Sequence, residues 1–199
     1  MATQFEWAKW IPGTKFLVDG FRHCTPKCQH YFLTHAHSDH TTGLFKSWRA
    51  GTIYCTAVTA RLLIEEQGLA QSVVHPVELN KPFVVEGVEV VALDANHCPG
   101  SAMFLFSVPT DVDTIKHILH TGDFRFHQRM AETAVLRAVK VHTLFLDTTY
   151  AAPRWSFPAQ ETAIDMMANT MRKLRKECSG AASPHTSCNS STACVWSWS

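Results

Sequence analysis

The chain has 199 residues, 46% hydrophobic and 18% charged, with a formal net charge of +1. That length and composition fit one ordinary globular domain, and no apolar run approaches the roughly 18 residues that would span a bilayer. A balance so near neutral neither demands nor excludes a polyanionic partner, so a nucleic-acid enzyme would have to rely on a local basic groove.

The first residues, "MATQFEWAKW", lack the basic-then-apolar pattern of a signal peptide. Without an export signal the 7 Cys read as reduced thiols, not as a disulfide framework. "TKFLVDGF" (14–21) has strand composition and ends at the turn signal Asp19-Gly20. "HYFLTH" (30–35) is a second short buried strand, "TTGLFKSW" (41–48) starts helically, and "GTIYCT" (51–56) is a third strand. "AVTARLLIEEQG" (57–68) carries Val58, Leu62 and Leu63 at helical spacing, with Gly68 as its C-cap. "KPFVVEGVEVVALDA" (81–95) reads as a hairpin turning near Glu86-Gly87. "SAMFLFSV" (101–108) and "KHILHTGD" (116–123) are strands flanking the polar turn "PTDVDT", and "HTLFLDTTY" (142–150) is a further buried strand. "FPAQETAIDMMANTMRKLRKE" (157–177) is a strong helix, with Pro158 at its start and Ile164, Met167 and Met171 on one face. From Cys178 the chain becomes rich in Ser, Ala, Thr and Cys with no usable period, and disorder is expected over 178–199. Many apolar strands with few helices between them indicate a sheet or sandwich with helices packed outside.

The chemistry collects where strands end. "THAHSDH" (34–40) holds three histidines and an aspartate in seven positions. On an extended segment His35 and His37, two apart, face the same way, while Asp39 and His40 follow on the turn. "LDANHCPG" (93–100) ends in His97 before Pro99-Gly100, and "LHTGDFR" (119–125) ends in Asp123 beside a glycine. Imidazole and carboxylate donors suit zinc and related divalent ions. His35, His37, His97 and Asp123 would hold one ion; Asp39 and His40 could hold a second, with Asp123 between them. Two such ions, roughly 3.5–4 Å apart, can activate a water and clamp an in-line displacement at phosphorus. Ordinary loop histidines are the competing reading, but this density of donor types makes a poor core or surface sequence. Asp19 reads either as an Asp-Gly turn or as support for a ligand, and Asp147 as an ordinary strand-end aspartate. "HCTPKCQH" (23–30) offers Cys24, Cys28, His23 and His30, yet structural zinc sites pair two knuckles and only one is visible, so a surface loop is preferred. The basic run "MRKLRKE" (171–177) reads as a solvated helix face.

"HAHSDH" resembles the H-x-H-x-D-H signature of the metallo-β-lactamase fold. "DANHCPGSAMFLF", "ILHTGDFR" and "LDTTY" together resemble one branch of it, the SNM1/Pso2 DNA cross-link repair nucleases, and the SNM1-like region of plant-type DNA ligases is similar too. The likeness runs from about Ile11 to Glu177. It implies an α/β (α+β) fold, the N-terminal half of an αββα sandwich over 1–150, with the start of a β-CASP insertion over 151–177. It places His35, His37, His97 and Asp123 at the first metal's ligands and Asp39 and His40 at the second-site pair. Asp19 falls at the first acidic motif and Asp147 at the first β-CASP motif. The implied activity is a zinc-dependent, nuclear DNA 5′-exonuclease of interstrand cross-link and double-strand-break repair, with Asp39, His40 and Asp123 catalytic and damaged or 5′-ended DNA as partner.

Family members continue well past the "DTTY…FP" helix, whereas residues 178–199 match none of the expected motifs, and His185 stands in none of them. The expectation is therefore a truncated chain with an aberrant tail, a poor nuclease with apolar faces uncovered. Two other functions compete. One is a non-catalytic product that binds metal or partners, favoured by the missing half; the other is a small-molecule thioester or lactam hydrolase, disfavoured by "DTTY" and "HTGDFR".

Overall fold

The structure, a computed structural model, describes residues 9–180. Its first compact unit, Met1–Ala151, contains two sheets. Strands β1 (Phe16–Val18), β2 (His30–Phe32), β3 (Thr52–Thr56) and β4 (Val74–Val77) form one, all parallel and in sequence order. Strands β5 (Pro82–Val85), β6 (Val88–Asp94), β7 (Ala102–Pro109), β8 (Ile115–His120) and β9 (Val141–Phe145) form the other. The second sheet is antiparallel except where β9 pairs parallel to β8. The β5–β6 turn passes through Glu86 and Gly87, both with positive φ, the backbone that a two-residue hairpin needs.

Three apolar layers follow from strand alternation. Phe16, Val18 and Phe32 of the first sheet meet Val90, Ala92, Phe104, Phe106 and Ile118 of the second, forming the core between the sheets. The opposite face of the first sheet, with Leu17, Tyr31, Ile53 and Cys55, packs on Ala60 and Leu63 and on Trp48. Helix α1 (Ala57–Arg61), which continues as a π-helical turn over Leu62–Glu66, supplies Ala60, and that turn supplies Leu63. The far face of the second sheet, with Val91, Leu93, Leu105 and Leu119, is covered by Met130, Val135 and Leu136. Those residues lie on short helices α2 (Gln128–Glu132) and α3 (Ala134–Arg137). The order is helix, sheet, sheet, helix, the α/β sandwich expected.

Several local expectations are corrected. "TTGLFKSW" forms successive turns, not a helix, because Gly43 sits at φ 103 and breaks the helical path. Of Val58, Leu62 and Leu63 only Leu63 turns to the core, while Val58 and Leu62 face solvent. The "HTLFLDTTY" strand is an edge strand with Leu144 and Leu146 about half exposed (49% and 48%), not a buried one. Strand β4, "VHPV", carries no sequence signal. Pro76 is tolerated there because β4 ends the sheet order.

The second unit is Ala152–Ser199. Its helix α4 (Gln160–Gly180) begins after Pro158 and continues past Glu177. The remaining tail, 181–199 with His185, lies outside the described residues. No described helix is long and apolar enough to cross a membrane.

Candidate metal centre

Each chemistry-bearing side chain sits just past the C-terminal end of a strand. Asp19 follows β1, His35 to His40 follow β2, His97 follows β6, Asp123 follows β8 and Asp147 follows β9. Because β6, β8 and β9 run in the same direction, their loops emerge at one edge of the second sheet. The loops after β1 and β2 meet them there.

His35, His37 and His97 place one ring nitrogen each within 4.8 Å of the others, and a second set joins His35, His40 and Asp123. His37 turns Nδ1 inward, 2.9 Å from Nε2 of His35 and 3.3 Å from Nε2 of His97. Asp123 Oδ2 lies 4.0 Å from His35 Nε2 and 3.8 Å from His97 Nε2. Its other oxygen, Oδ1, lies 3.2 Å from His40 Nε2. Asp123 thus presents one oxygen to each set. Asp39 Oδ2 stands 3.4 Å from His40 Nε2, at the solvent edge.

A tetrahedral zinc with donors at about 2.0–2.1 Å keeps those donors about 3.4 Å from one another. The four separations around the first set, 2.9, 3.3, 3.8 and 4.0 Å, bracket that value. The donors are imidazoles and a carboxylate, the types a divalent ion of this kind takes. The residues fit a divalent metal.

Behind the donors lies a buried polar layer. Asp19, at φ 49, accepts hydrogen bonds from the Thr34 amide (2.9 Å), the Thr34 hydroxyl (2.7 Å) and His40 Nδ1 (2.7 Å). Burial would raise the Asp19 carboxyl, but the hydrogen bond and charge of His40 outweigh it and hold the acid below its ordinary range. Burial would likewise lower His40; Asp19 above all, then Asp123 and Asp39, outweigh it and raise the imidazole. Burial, then the neighbouring His40, push His35 down to about 4; Asp19 draws it upward too, but not enough, so its ring is neutral and ready to ligate.

Asp147 stands outside both donor sets. Its Oδ1 accepts from the amide (2.9 Å) and hydroxyl (2.6 Å) of Thr149, its Oδ2 from the Phe124 amide (3.5 Å), and its own amide donates to Thr121 Oγ1 (3.0 Å). It ties the loop after β9 to the loop that carries Asp123. Burial would raise its carboxyl, but the Thr149 hydrogen bonds prevail and lower it. Between Thr121 and Asp123, Gly122 has φ 53, and a Cβ there would come within 2.6–2.8 Å of the Thr34 side chain. Sequence reasoning missed Thr34, although its place immediately before the histidine pair was the available signal. The Cys24, Cys28, His23 and His30 stretch forms no donor cluster among the described residues, and Cys28 is buried with its thiol donating to the His30 carbonyl at 3.4 Å.

A family model described as "Beta-lactamase superfamily domain" matches residues 15–182. The chain belongs to the metallo-β-lactamase superfamily. Within it, the chain is 42% identical to the DNA cross-link repair protein SNM1 of Arabidopsis thaliana over 171 residues, which cover 85% of this chain and 34% of that protein. It is 46% identical to the DNA cross-link repair 1A protein of Homo sapiens over 163 residues, 81% of this chain and 15% of that protein. It is 37% identical to the 5′ exonuclease Apollo of Gallus gallus over 165 residues, 82% of this chain and 35% of that protein. The chain therefore spans about a third or less of the length of these curated relatives. The resemblance to the SNM1/Pso2 branch, carried by "NHCPGS", "HTGDFR" and "DTTY", agrees with them.

Proposed function

We propose that this chain is the metal-binding part of a zinc-dependent DNA 5′-exonuclease acting in the nucleus in interstrand cross-link and double-strand-break repair. The observation that carries this is Asp123, whose two oxygens address two adjoining donor sets. The relatives' names, DNA cross-link repair proteins and a 5′ exonuclease, support DNA as the substrate. In this reading residues 1–150 are the first part of the sandwich and 151–177 open a β-CASP region.

His35, His37, His97 and Asp123 would hold one ion, and Asp39, His40 and the far oxygen of Asp123 a second. When bound, such ions supply an acidified water for attack and stabilise charge that develops on a phosphodiester. Asp19 holds His40 by its Nδ1 and so aims Nε2 at the second set. Metal uptake must displace any proton that Asp19 helps His40 retain. Asp39, largely exposed, is the carboxylate best placed to accept a proton released at the solvent edge. Asp147 keeps the Asp123 loop in place.

Zinc-loaded protein assayed in parallel on 5′-phosphorylated single-stranded DNA, a lactam and a thioester tests the proposal. Nucleotide release from the 5′ end, lost on Asp123→Asn, is expected. Lactam or thioester turnover without DNA degradation would overturn it.

A further inference from the structure

We propose that Thr34 is a positioning residue that fixes the ring tautomer of His35, so that His35 turns a bare Nε2 toward both donor sets. The inference deepens the proposed metal centre and rests on it, since His35 belongs to both sets.

The argument runs through one hydroxyl. Thr34 is 1% exposed, so its hydrogen bonds are made with protein and not with bulk water. Its Oγ1 lies 2.7 Å from Asp19 Oδ2 and 3.0 Å from His35 Nδ1. A hydroxyl has one proton to give and lone pairs to receive with, whereas a carboxylate can only accept. Asp19 also accepts from His40 Nδ1 at 2.7 Å, so it is held as a carboxylate and takes the Thr34 proton. The Thr34 oxygen then has only lone pairs left for His35, and His35 Nδ1 must carry the ring proton. A neutral imidazole has one, so Nε2 is bare. It is Nε2 that stands 2.9 Å from His37 Nδ1 and 4.0 Å from Asp123 Oδ2. The same carboxylate oxygen fixes Nδ1–H of His40, whose Nε2 faces Asp123 Oδ1. One aspartate and one threonine thus set both rings the same way.

Thr34 is also where the four loops touch. Its amide donates to Asp19 Oδ1 at 2.9 Å. Its carbonyl accepts from Ala102 at 2.8 Å, at the start of β7 just after the His97 turn. Its side chain fills the space beside Gly122, next to Asp123. A residue with the right backbone and volume but no hydroxyl would keep those contacts and lose the tautomer control.

The test is a long-range proton–nitrogen NMR correlation of the metal-free chain at pH 8, with His35 assigned by His35→Gln, alongside zinc affinity by chelator competition. Expected in wild type is a protonated Nδ1 and a bare Nε2 on His35. Thr34→Val should shift His35 toward the opposite tautomer and weaken zinc about 10–100-fold, while Thr34→Ser restores both. A wild-type spectrum with the proton on Nε2 overturns the inference without recourse to any variant. So does Thr34→Val with the wild-type tautomer and zinc affinity within about two-fold of wild type. Because the tautomer is read without metal, it separates this inference from the metal reading, which fails if the wild type binds no zinc.

Discussion

At the scale of single residues, the donor set makes the sharpest demands. Removing one of four donors leaves a site that holds zinc far less tightly. His37→Ala, which deletes the one Nδ1 donor, should lose most of the metal on elemental analysis after dialysis, and equal metal in the variant and wild type would exclude the assignment. On the proposed nuclease reading, Asp39→Ala should cut DNA hydrolysis on the order of 10²-fold while DNA binding changes little, because basic contacts to phosphate supply most affinity. Proton linkage gives a second test. The folded pKa of His35, about 4, lies below its ordinary 6.5, so between those values the unfolded chain binds a proton that the folded chain refuses. The metal-free protein should therefore lose stability as pH falls from about 6.5 to 4. Asp19, held low, acts in the same sense further down: its contribution is present above its unfolded pKa and lost as pH falls through the folded one. His40, held high, acts oppositely: its contribution is complete below the ordinary histidine range and lost as pH rises through its folded value. The His35 component is isolated by comparison with His35→Gln, whose urea midpoint should fall less steeply over the same pH range. Parallel pH profiles would remove it. Among these residues the donors were legible in the sequence because metal chemistry restricts them to few types at fixed spacing. Thr34 was not, since a hydroxyl between a carboxylate and a ring looks, in one dimension, like any threonine.

At the scale of elements, apolar runs announced strands but not their neighbours. "AMFLFSV" in β7 is buried along its whole length, as its composition required. "HTLF" in β9 has nearly the same character, yet β9 lies at the end of the sheet order and exposes Leu144, as does the residue just past it, Leu146. Nothing local distinguishes a strand with partners on both sides from one with a partner on one side. The same limit hid β4, where Pro76 is compatible with a strand because β4 lies at the end of its sheet. An apolar edge strand is a template for association between chains. Leu144→Lys should therefore reduce self-association at high protein concentration, measured by light scattering, and leave the melting temperature within about 2 °C, since little buried area is lost. Unchanged scattering would show that association proceeds through another surface.

At the scale of the whole sandwich, the donors come from both layers. His35, His37, Asp39 and His40 hang from the loop after β2 in the first sheet, whereas His97 and Asp123 hang from β6 and β8 in the second. The sequence revealed that every donor follows a strand. It could not reveal that the strands belong to different sheets, because β6 buries both faces and its periodicity assigns Val90 and Val91 to no particular layer. That division has an energetic consequence. An ion held by donors from both sheets binds the folded state and has no assembled site in the unfolded one, so its binding free energy adds to folding. At free zinc about 100-fold above Kd the gain is about 2.7 kcal/mol, which for a domain of this size raises Tm by roughly 5–10 °C. Chelator should lower Tm by that amount and added zinc should restore it. The decisive comparison is His97→Ala. It leaves the whole first-sheet cluster in place and removes one donor from the second sheet, on a side chain that faces solvent and contributes little to the core. If the ion clips the sheets together, the metal-free melting of His97→Ala should match that of the metal-free wild type, while most of the zinc-dependent rise disappears. A full zinc-dependent rise in His97→Ala would mean that His97 takes no part in holding the ion, leaving Asp123 as the one donor by which the second sheet could join the centre.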